Sequence, residues 1–581
     1  MRENEIDAYI IPDTDPHLGE SIPDHWRIIE WLTGFTGSAG TVVITESFAG
    51  LWTDSRYLVQ AEKQLKGSGF ELIKPVSTVR SGPLQWFADN LSPGSRIGLD
   101  GRTFSISRYR KLEKSTDCKN ISIDIECDLI TSLWTDRPPL PELPAFDHPV
   151  SFSGRDRSLK IRDVRDEMNR LGVDYHLLAS PDDIMWLLNI RGRDVKYSPL
   201  LMSIAIIGPE QILLFAREDK IPLSIAKEFD RLEIIMLPYE EAAGMLTTLT
   251  GGSGILISPS TTSAFLYHSI PGKMKIKEDI SIPARLKAIK NNVEIANIGR
   301  IMIRDGVALT RFFQWIEQNA GPVAMSELSL TEKLYQLRSE QANFLSLSFS
   351  TIVAYNEHAA LPHYSATQAS NSVIGQGGLL LIDSGSQYYD GTTDITRTIS
   401  LGNTTARQKR DFTLVLKGMI SLAQAVFPSE TAGYQLDILA RKVLWENGLN
   451  YEHGTGHGVG FFLNVHESPQ RISPVAGSDP ENYFRAGMLI SDEPAVYRPG
   501  EYGIRTENLL LCYEDEETEF GRFLRFNTVS LCYIDRSLID ISLLDPHEIK
   551  WLNEYHSEVY EKLSPHLTEE EKAWLKSKCL E

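Results

Sequence analysis

The chain has 581 residues with 58 Lys+Arg against 78 Asp+Glu, a formal net charge of −20. That balance argues against nucleic acid or an anionic membrane surface as partner, since both reward clustered lysine and arginine. At 42% hydrophobic and 23% charged, the composition is that of an ordinary globular protein, and the length exceeds what one core fills, so three or four domains are expected at about 150 residues each.

The opening, Met1-Arg-Glu-Asn-Glu-Ile-Asp-Ala-Tyr-Ile-Ile-Pro12, lacks the basic stretch and apolar run of a secretory leader, and no segment offers the roughly 20 apolar residues of a membrane span. A cytoplasmic location is the expectation. Five cysteines, Cys118, Cys127, Cys512, Cys532 and Cys579, are an odd number without a CxxC pair; they read as free thiols in a reducing compartment.

The opening recurs. Met168–Leu178 lines up with Met1–Ile11, Asp183–Arg191 with Arg27–Phe35, and each copy then turns β-rich, at Thr41–Thr45 and Met202–Ile207. A helix-like stretch, Leu159–Met168, precedes the second copy, and the first begins at Met1 without it. Two domains of one design are therefore expected, over residues 1–145 and 146–284. The proline-dense Asp136–Pro144, with Pro149 behind it, suits neither helix nor central strand and reads as a semi-rigid linker between them. A second boundary falls near Ser281-Ile-Pro283. Beyond it Val293, Ile298, Ile301, Met302, Leu309, Phe312 and Phe313 predict long amphipathic helices opening a third domain, residues 285–581.

Five residues of that domain carry the chemistry. Asp383 closes the apolar run Leu379–Ile382, and Asp394 follows on the next strand, past the turn Tyr388-Tyr-Asp-Gly391. His457 lies in the glycine-studded turn His453-Gly-Thr-Gly-His-Gly-Val-Gly460. Glu493 ends the strand Gly487–Pro494, and Glu507 opens Leu509–Leu511. An ionised carboxylate at the end of an apolar strand is costly to bury unless paired or bound to metal. Taken singly, each acid could serve a turn or cap. Together, four carboxylates are too much charge for one cation but balance two divalent ones, as in hydrolytic centres with ions about 3.5–4 Å apart. Asp383 and Asp394 are expected to flank one tight hairpin that turns both to a single face. The glycines around His457 let backbone pass close to a crowded site.

The order Asp, Asp, His, Glu, Glu, each within its motif, resembles the metallopeptidase family shared by methionine aminopeptidase, prolidase and aminopeptidase P, the pita-bread fold. Over nearly the whole chain the resemblance is to the long, three-module aminopeptidase P (Xaa-Pro aminopeptidase) family. It is carried by Thr33-Gly-Phe-Thr-Gly-Ser-Ala-Gly40, Trp52-Thr-Asp-Ser-Arg56, Trp134-Thr-Asp-Arg-Pro138, Asn189-Ile-Arg-Gly192 and Trp551-Leu-Asn-Glu-Tyr-His556. The fold implied is α/β (α+β): two creatinase-like domains, then a pita-bread catalytic domain with a curved, mostly antiparallel sheet and a C-terminal helical extension. The resemblance also implies two divalent ions per chain, most often Mn2+, with Co2+ or Zn2+ as alternatives; oxygen-rich ligands themselves favour a hard first-row ion. The reaction implied is removal of the first residue from peptides with proline second, by a hydroxide bridging the ions.

By the same resemblance Asp394 and Glu507 have the reach to serve both ions, and Glu493 ligates and steers the water as general base. His363, His453 and His466 coincide with substrate-contacting histidines. The chemistry gives them work: a proline nitrogen leaves poorly unless protonated, and an imidazole near pH 7 can polarise the carbonyl, steady the tetrahedral intermediate or donate that proton. Tyr497 and Arg505 match positions that close a hydrogen-bonded layer behind the ligands. One departure is that His358 and Pro362 stand in the loop Tyr355–His363 where relatives show small or aliphatic residues, and Pro362 should stiffen the approach to His363.

Family members of this length are usually homodimers. The helix expected over Leu436–Glu446 turns Leu436, Leu439, Ala440 and Val443 inward and Trp445 outward, which makes Trp445 a candidate interface residue. Other readings on this fold are a prolidase confined to Xaa-Pro dipeptides, metal-free creatinase-like chemistry and a catalytically inactive binding module. The three-module length speaks against the first, and intact ligands at all five positions against the others.

Overall fold

The computed structural model describes residues 1–54, 56–74, 82–249, 253–319, 324–476 and 483–580; Ser55 of the Trp52–Arg56 motif lies outside them. Two compact units result: Met1–Pro149 with Arg155–Ala284, and Val150–Gly154 with Arg285–Glu581. Residues 150–154 group with the later unit because its Asn291 and Asn297 amides donate to the carbonyls of Ser153 (2.9 Å) and Phe152 (3.1 Å). The described cysteines are all free. No described helix is long and apolar enough to cross a membrane.

The first unit holds two six-stranded sheets of one design. The earlier runs Glu71–Ile73, Ala49–Trp52, Thr41–Thr45, Ala8–Pro12, Arg96–Gly98, Ser122–Asp124. The later runs Ile234–Leu237, Ile212–Phe215, Ile204–Ile207, Tyr175–Leu178, Gly254–Ile257, Lys275–Glu278. In both, the first strand in sequence pairs antiparallel with the second and parallel with the fifth. The repeat of Met1–Ile11 at Met168–Leu178 thus marks duplicated topology. The proline-dense stretch is docked: Arg137 Nε donates to His25 O at 2.7 Å, and its guanidinium lies 4.7 Å from the Trp26 ring centroid.

The second unit contains every candidate site residue. It opens with α1 (Asn292–Asn319), a single helix of 28 residues. Ile298, Ile301, Met302, Leu309, Phe312 and Phe313 are buried along it, whereas Val293, in its first turn, is exposed. At about 1.5–3 kcal/mol per large apolar side chain taken from water, that face contributes on the order of 10 kcal/mol before chain entropy is set against it. Gly306 lets the chain close on α1, since a Cβ there would meet Leu531 O at 2.5 Å. Helix α2 (Glu327–Ser339) follows. Next come β1 (Phe344–Leu347), β2 (Ile352–Tyr355), β3 (Leu379–Ser384), β4 (Ser386–Tyr388), β5 (Gly391–Thr392) and β6 (Ile395–Ser400). Helices α3 (Ala406–Ala423) and α4 (Gly433–Trp445) flank β7 (Val426–Pro428). Then come β8 (Gly456–Gly458), β9 (Glu467–Ile472), β10 (Leu489–Asp492), β11 (Ala495–Arg498), β12 (Tyr502–Arg505), β13 (Asn508–Thr518) and β14 (Gly521–Thr528). Helices α5 (Pro546–Leu563) and α6 (Glu569–Cys579) close the chain.

All pairings in this unit's sheets are antiparallel, in the orders β1-β4-β5, β2-β3-β6, β7-β14-β13-β10-β8-β9 and the hairpin β11-β12. Two expectations change. The single hairpin around residue 390 is broken in two. β3 and β6 pair with Asp383 opposite Thr396, then leave that sheet and pair again as β4 and β5. A Cβ at Gly385 would meet Thr393 O at 2.0 Å, so the chain can cross there only at glycine. Asp394 consequently sits in the bend, one residue before β6. His457 is the middle residue of strand β8, between β9 and β10, rather than part of a turn.

Candidate metal centre

Each of the four acids and the imidazole stands on or beside a strand. Asp383 is the penultimate residue of β3, Asp394 precedes β6, His457 centres β8, Glu493 links β10 to β11, and Glu507 links β12 to β13. Ligand atoms of Asp394, His457 and Glu507 all lie within 4.8 Å of one another. His457 Nε2 is 3.4 Å from Asp394 Oδ2 and 3.6 Å from Glu493 Oε1. Asp383, Asp394 and Glu507 are buried, and Asp383 Oδ1 has no hydrogen-bond partner among the described residues. Buried carboxylates facing one another with an unsatisfied oxygen fit a pair of cations by charge and by donor type.

The backbone holds this set firmly. Glu507 N–H donates to Thr396 O at 3.1 Å while Thr396 Oγ1 donates to Glu507 Oε2 at 2.7 Å. Glu493 N–H donates to Thr455 O at 2.8 Å. His457 N–H donates to Ser491 Oγ at 2.9 Å, and His457 Nδ1 lies 3.0 Å from Gly458 O, which fixes the ring with Nε2 toward the acids. Glycines on both sides of His457 permit this packing. A Cβ on Gly456 would meet Ser491 O at 1.9 Å, and one on Gly458 would meet Glu467 O at 2.3 Å.

Without cations the cluster retains protons. Burial, then the charges of Asp394, Asp383 and Glu493, push Glu507 well above the usual carboxylate range. Burial also raises Glu493 to about 7, against the pull of His457 and Arg505. Burial alone would lower His457, but its hydrogen bond to Asp394 and the charges of Glu493 and Asp394 raise it to about 9. Asp492, next to Glu493, is fully buried with neither carboxylate oxygen partnered among the described residues; burial, then the charge of Glu493, holds its pKa well above the ordinary value and favours the neutral form.

The remaining candidates stand around this cluster. Arg505 pairs with Asp383 through Nη2 and donates to Tyr497 OH through Nη1 at 2.6 Å. Tyr497 OH is in turn 2.9 Å from His453 Nε2. The exposed His466 sets its ring edge-on to His457, centroids 4.2 Å apart. His363 is half-buried at the end of the loop from Tyr355. Its short helical turn, Asn356–Ala360, packs on β11 and β12, where Gly503 leaves room for the Ala359 carbonyl. His358 belongs to the anchor of that loop. Its Nδ1 lies 2.8 Å from Glu327 Oε1 and its ring stacks on Tyr364 at 4.4 Å, while Glu327 also accepts from Tyr364 OH and the Tyr355 and Ser372 amides.

Several supporting residues escaped the sequence reading. Buried Arg441 donates to Asp437 Oδ2 (2.6 Å) and to the carbonyls of Tyr451 and His453 (2.6 Å each), clamping the turn that carries His453. Thr396 and Arg397 lie in Ile395-Thr-Arg-Thr-Ile399, where Arg397 falls in phase with the apolar residues. A charge in that phase was the available signal of a buried guanidinium.

Comparison with known proteins gives a consistent result. Residues 1–128 and 136–294 each match the creatinase/prolidase N-terminal domain, 296–514 match metallopeptidase family M24, and 522–581 match the C-terminal region of peptidase M24. A Paracoccidioides brasiliensis protein named "Probable Xaa-Pro aminopeptidase P" is 37% identical over 597 residues, 99% of this chain and 96% of that one. Xaa-Pro aminopeptidase 2 of Sus scrofa is 37% identical over 593 residues, 99% of this chain and 86% of its own. The crystal structure of X-prolyl aminopeptidase from Caenorhabditis elegans, described as a cytosolic enzyme with a di-nuclear active site, matches with a TM-score of 0.94 at 34% identity. It covers 99% of this chain and 95% of that one.

Proposed function

Since the chain belongs to metallopeptidase family M24, we propose that it is an Xaa-Pro aminopeptidase, hydrolysing the N-terminal Xaa-Pro bond of peptides. The ligands proposed for two divalent ions are Asp383, Asp394, His457, Glu493 and Glu507. The observation that carries this reading is the clustering of Asp394, Glu493 and Glu507 about the His457 imidazole, with buried Asp383 beside Asp394 and its Oδ1 unsatisfied. Manganese is the proposed metal, on oxygen-rich donors. When bound, such ions supply a water acidic enough to attack a carbonyl near neutral pH.

The chain's own residues do the rest. Glu493, whose carboxyl sits near 7 before metal enters, takes the proton of the attacking water and returns it to the departing proline nitrogen. His466, on the open side of His457, donates a hydrogen bond to the oxyanion as it forms. His453 is held at Nε2 by Tyr497 and through it by Arg505, so its ring is oriented before substrate arrives. His363 contacts the substrate from the loop stiffened by Pro362. The testing assay compares an Xaa-Pro dipeptide, an Xaa-Pro-Xaa tripeptide and a peptide with alanine second, each with and without Mn2+. Metal-dependent cleavage of the tripeptide supports the reading; cleavage of the dipeptide alone makes the protein a prolidase.

Metal binding should follow pH. Folding raises the Glu493 and His457 pKa values, so both groups contribute stability while protonated and lose it as pH rises, through about 7 and about 9 respectively. The metal-free protein should therefore soften from pH 6 to pH 8, while Mn2+, which displaces those protons, binds more tightly over the same interval. Thermal melts with Mn2+ and with chelator should diverge as pH increases. A constant gap would show that these groups do not hold the metal.

A cytoplasmic homodimer completes the proposal. Trp445 is 50% exposed at the end of α4, and Tyr434 (48%) and Ile438 (41%) extend an apolar strip along the same helix. That strip is the proposed meeting face of two copies. Light scattering should give twice the chain mass for wild type and the single-chain mass for Trp445→Glu. Two equal dimers, or a wild-type monomer, would remove α4 from the interface.

A further inference from the structure

The sequence motif Trp551–His556 lies on α5, outside the candidate centre, and the catalytic proposal above gives it no task. Its Tyr555 hydroxyl is buried, donates to Cys532 O at 2.8 Å and lies 3.1 Å from Ser530 O, so α5 is tied to the segment after β14. His556 Nε2 accepts the Ile534 N–H at 3.0 Å, securing the same segment two residues further on.

Arg397, 2% exposed, meets that segment from the other side. Its Nε donates to Tyr533 O at 2.9 Å, and its Nη2 donates to Cys532 O (2.8 Å), Tyr555 OH (2.7 Å) and Asn508 Oδ1 (2.8 Å). Its Nη1 points the opposite way, to Thr396 O at 2.9 Å and Glu507 O at 2.6 Å. Every acceptor is a carbonyl, an amide or a phenol, and no carboxylate lies within ion-pair reach of Arg397 among the described residues. A buried guanidinium spent wholly on neutral acceptors is an unusual outlay of desolvation energy. What it secures is geometry, because its planar fork fixes several acceptors at once.

The two carbonyls on Nη1 flank the proposed metal ligands. Glu507 is itself one, and Thr396 follows Asp394 by two residues, faces Asp383 across β3–β6 and donates to the Glu507 carboxylate. We propose that Arg397, braced by Tyr555 of the C-terminal extension, is a positioning residue that sets Glu507 against Asp383 and Asp394 at the separation two divalent ions require. The extension is thus part of the metal centre's frame, although none of its residues is a ligand. This rests on the functional reading above.

The test is Mn2+ affinity of the full-length protein, measured by competition with a chelator well below the melting temperature, for wild type, Tyr555→Phe, Arg397→Lys and the surface variant Lys550→Ala. Residues that orient metal ligands typically alter affinity about 10- to 100-fold. Tyr555→Phe keeps the ring and its stacking on Trp551 (5.2 Å) and loses only the hydroxyl. It should bind Mn2+ about tenfold more weakly, and Arg397→Lys more weakly still. Turnover of both should recover when Mn2+ is raised, and Lys550→Ala should match wild type. If Tyr555→Phe and Arg397→Lys bind Mn2+ as wild type does and merely melt earlier, the extension is a structural support only and the inference is overturned. If wild type itself takes up no stoichiometric Mn2+, the functional reading falls first and this inference with it. Should Arg397→Lys not fold, Tyr555→Phe alone decides.

Discussion

Glu507→Gln should abolish peptide hydrolysis, with a loss on the order of 10³-fold or more, and leave fewer than two metal ions per chain. The substitution is isosteric and removes one negative charge from a cluster that needs all of them to offset two dications. It should nonetheless fold. Burial and acidic neighbours push the Glu507 pKa well above an ordinary carboxylate's, so a neutral amide relieves repulsion in the metal-free state. The metal-free variant should melt at the wild-type temperature or above it, while elemental analysis shows metal lost. Stability and activity would then move in opposite directions, which a residue acting only in packing cannot produce. Full activity with two bound metals would remove Glu507 from the ligand set.

His466→Ala should lower kcat by about 10²–10³-fold, the usual cost of removing one donor to a developing oxyanion. The melting temperature should barely change, because the ring is exposed and packs edge-on against His457. KM should change less than kcat, since the bond proposed for His466 forms only as the carbonyl becomes tetrahedral. Bound Mn2+ should stay at the wild-type level, separating this phenotype from that of Glu507→Gln. Parallel losses in melting temperature and rate would make His466 a structural histidine.

Much of this clustering of side chains was legible in the sequence, for a specific reason. A buried acid at the end of an apolar run is expensive, so Asp383 after Leu379–Ile382 and Glu507 before Leu509–Leu511 announce themselves one by one. Repetition announced the duplicated sheets in the same way. What stayed hidden depends on contacts distant in sequence. Nothing next to Gly385 tells that the chain changes sheets there, because the obstruction is the carbonyl of Thr393, eight residues further on along the returning chain. Helix α4 begins at Gly433 rather than Leu436, where the Gln435 side chain accepts the Ala432 N–H at 2.8 Å. That start is fixed by polar contacts and not by the apolar stripe that pointed to the helix. Arg441 and Arg397 act on carbonyls 10 and 136 residues away respectively, and no local pattern encodes such partners.

The wiring from Arg397 to Tyr555 also bears on when the protein becomes able to hold metal. The strands carrying the proposed ligands span residues 383 to 507, and the proposed brace, Tyr555, lies on α5, 48 residues after Glu507. During synthesis the N-terminal sheets can close on their own strands early, domain by domain. The carboxylates, by contrast, have to wait, since long-range pairings form only after the intervening loops have closed. A nascent chain that has emerged as far as Glu507 has all five donors but not the brace that spaces them. On the proposed wiring, loading with the correct ion therefore waits until α5 has docked, and a truncation that spares every ligand but removes α5 should leave a poor grip on the metal.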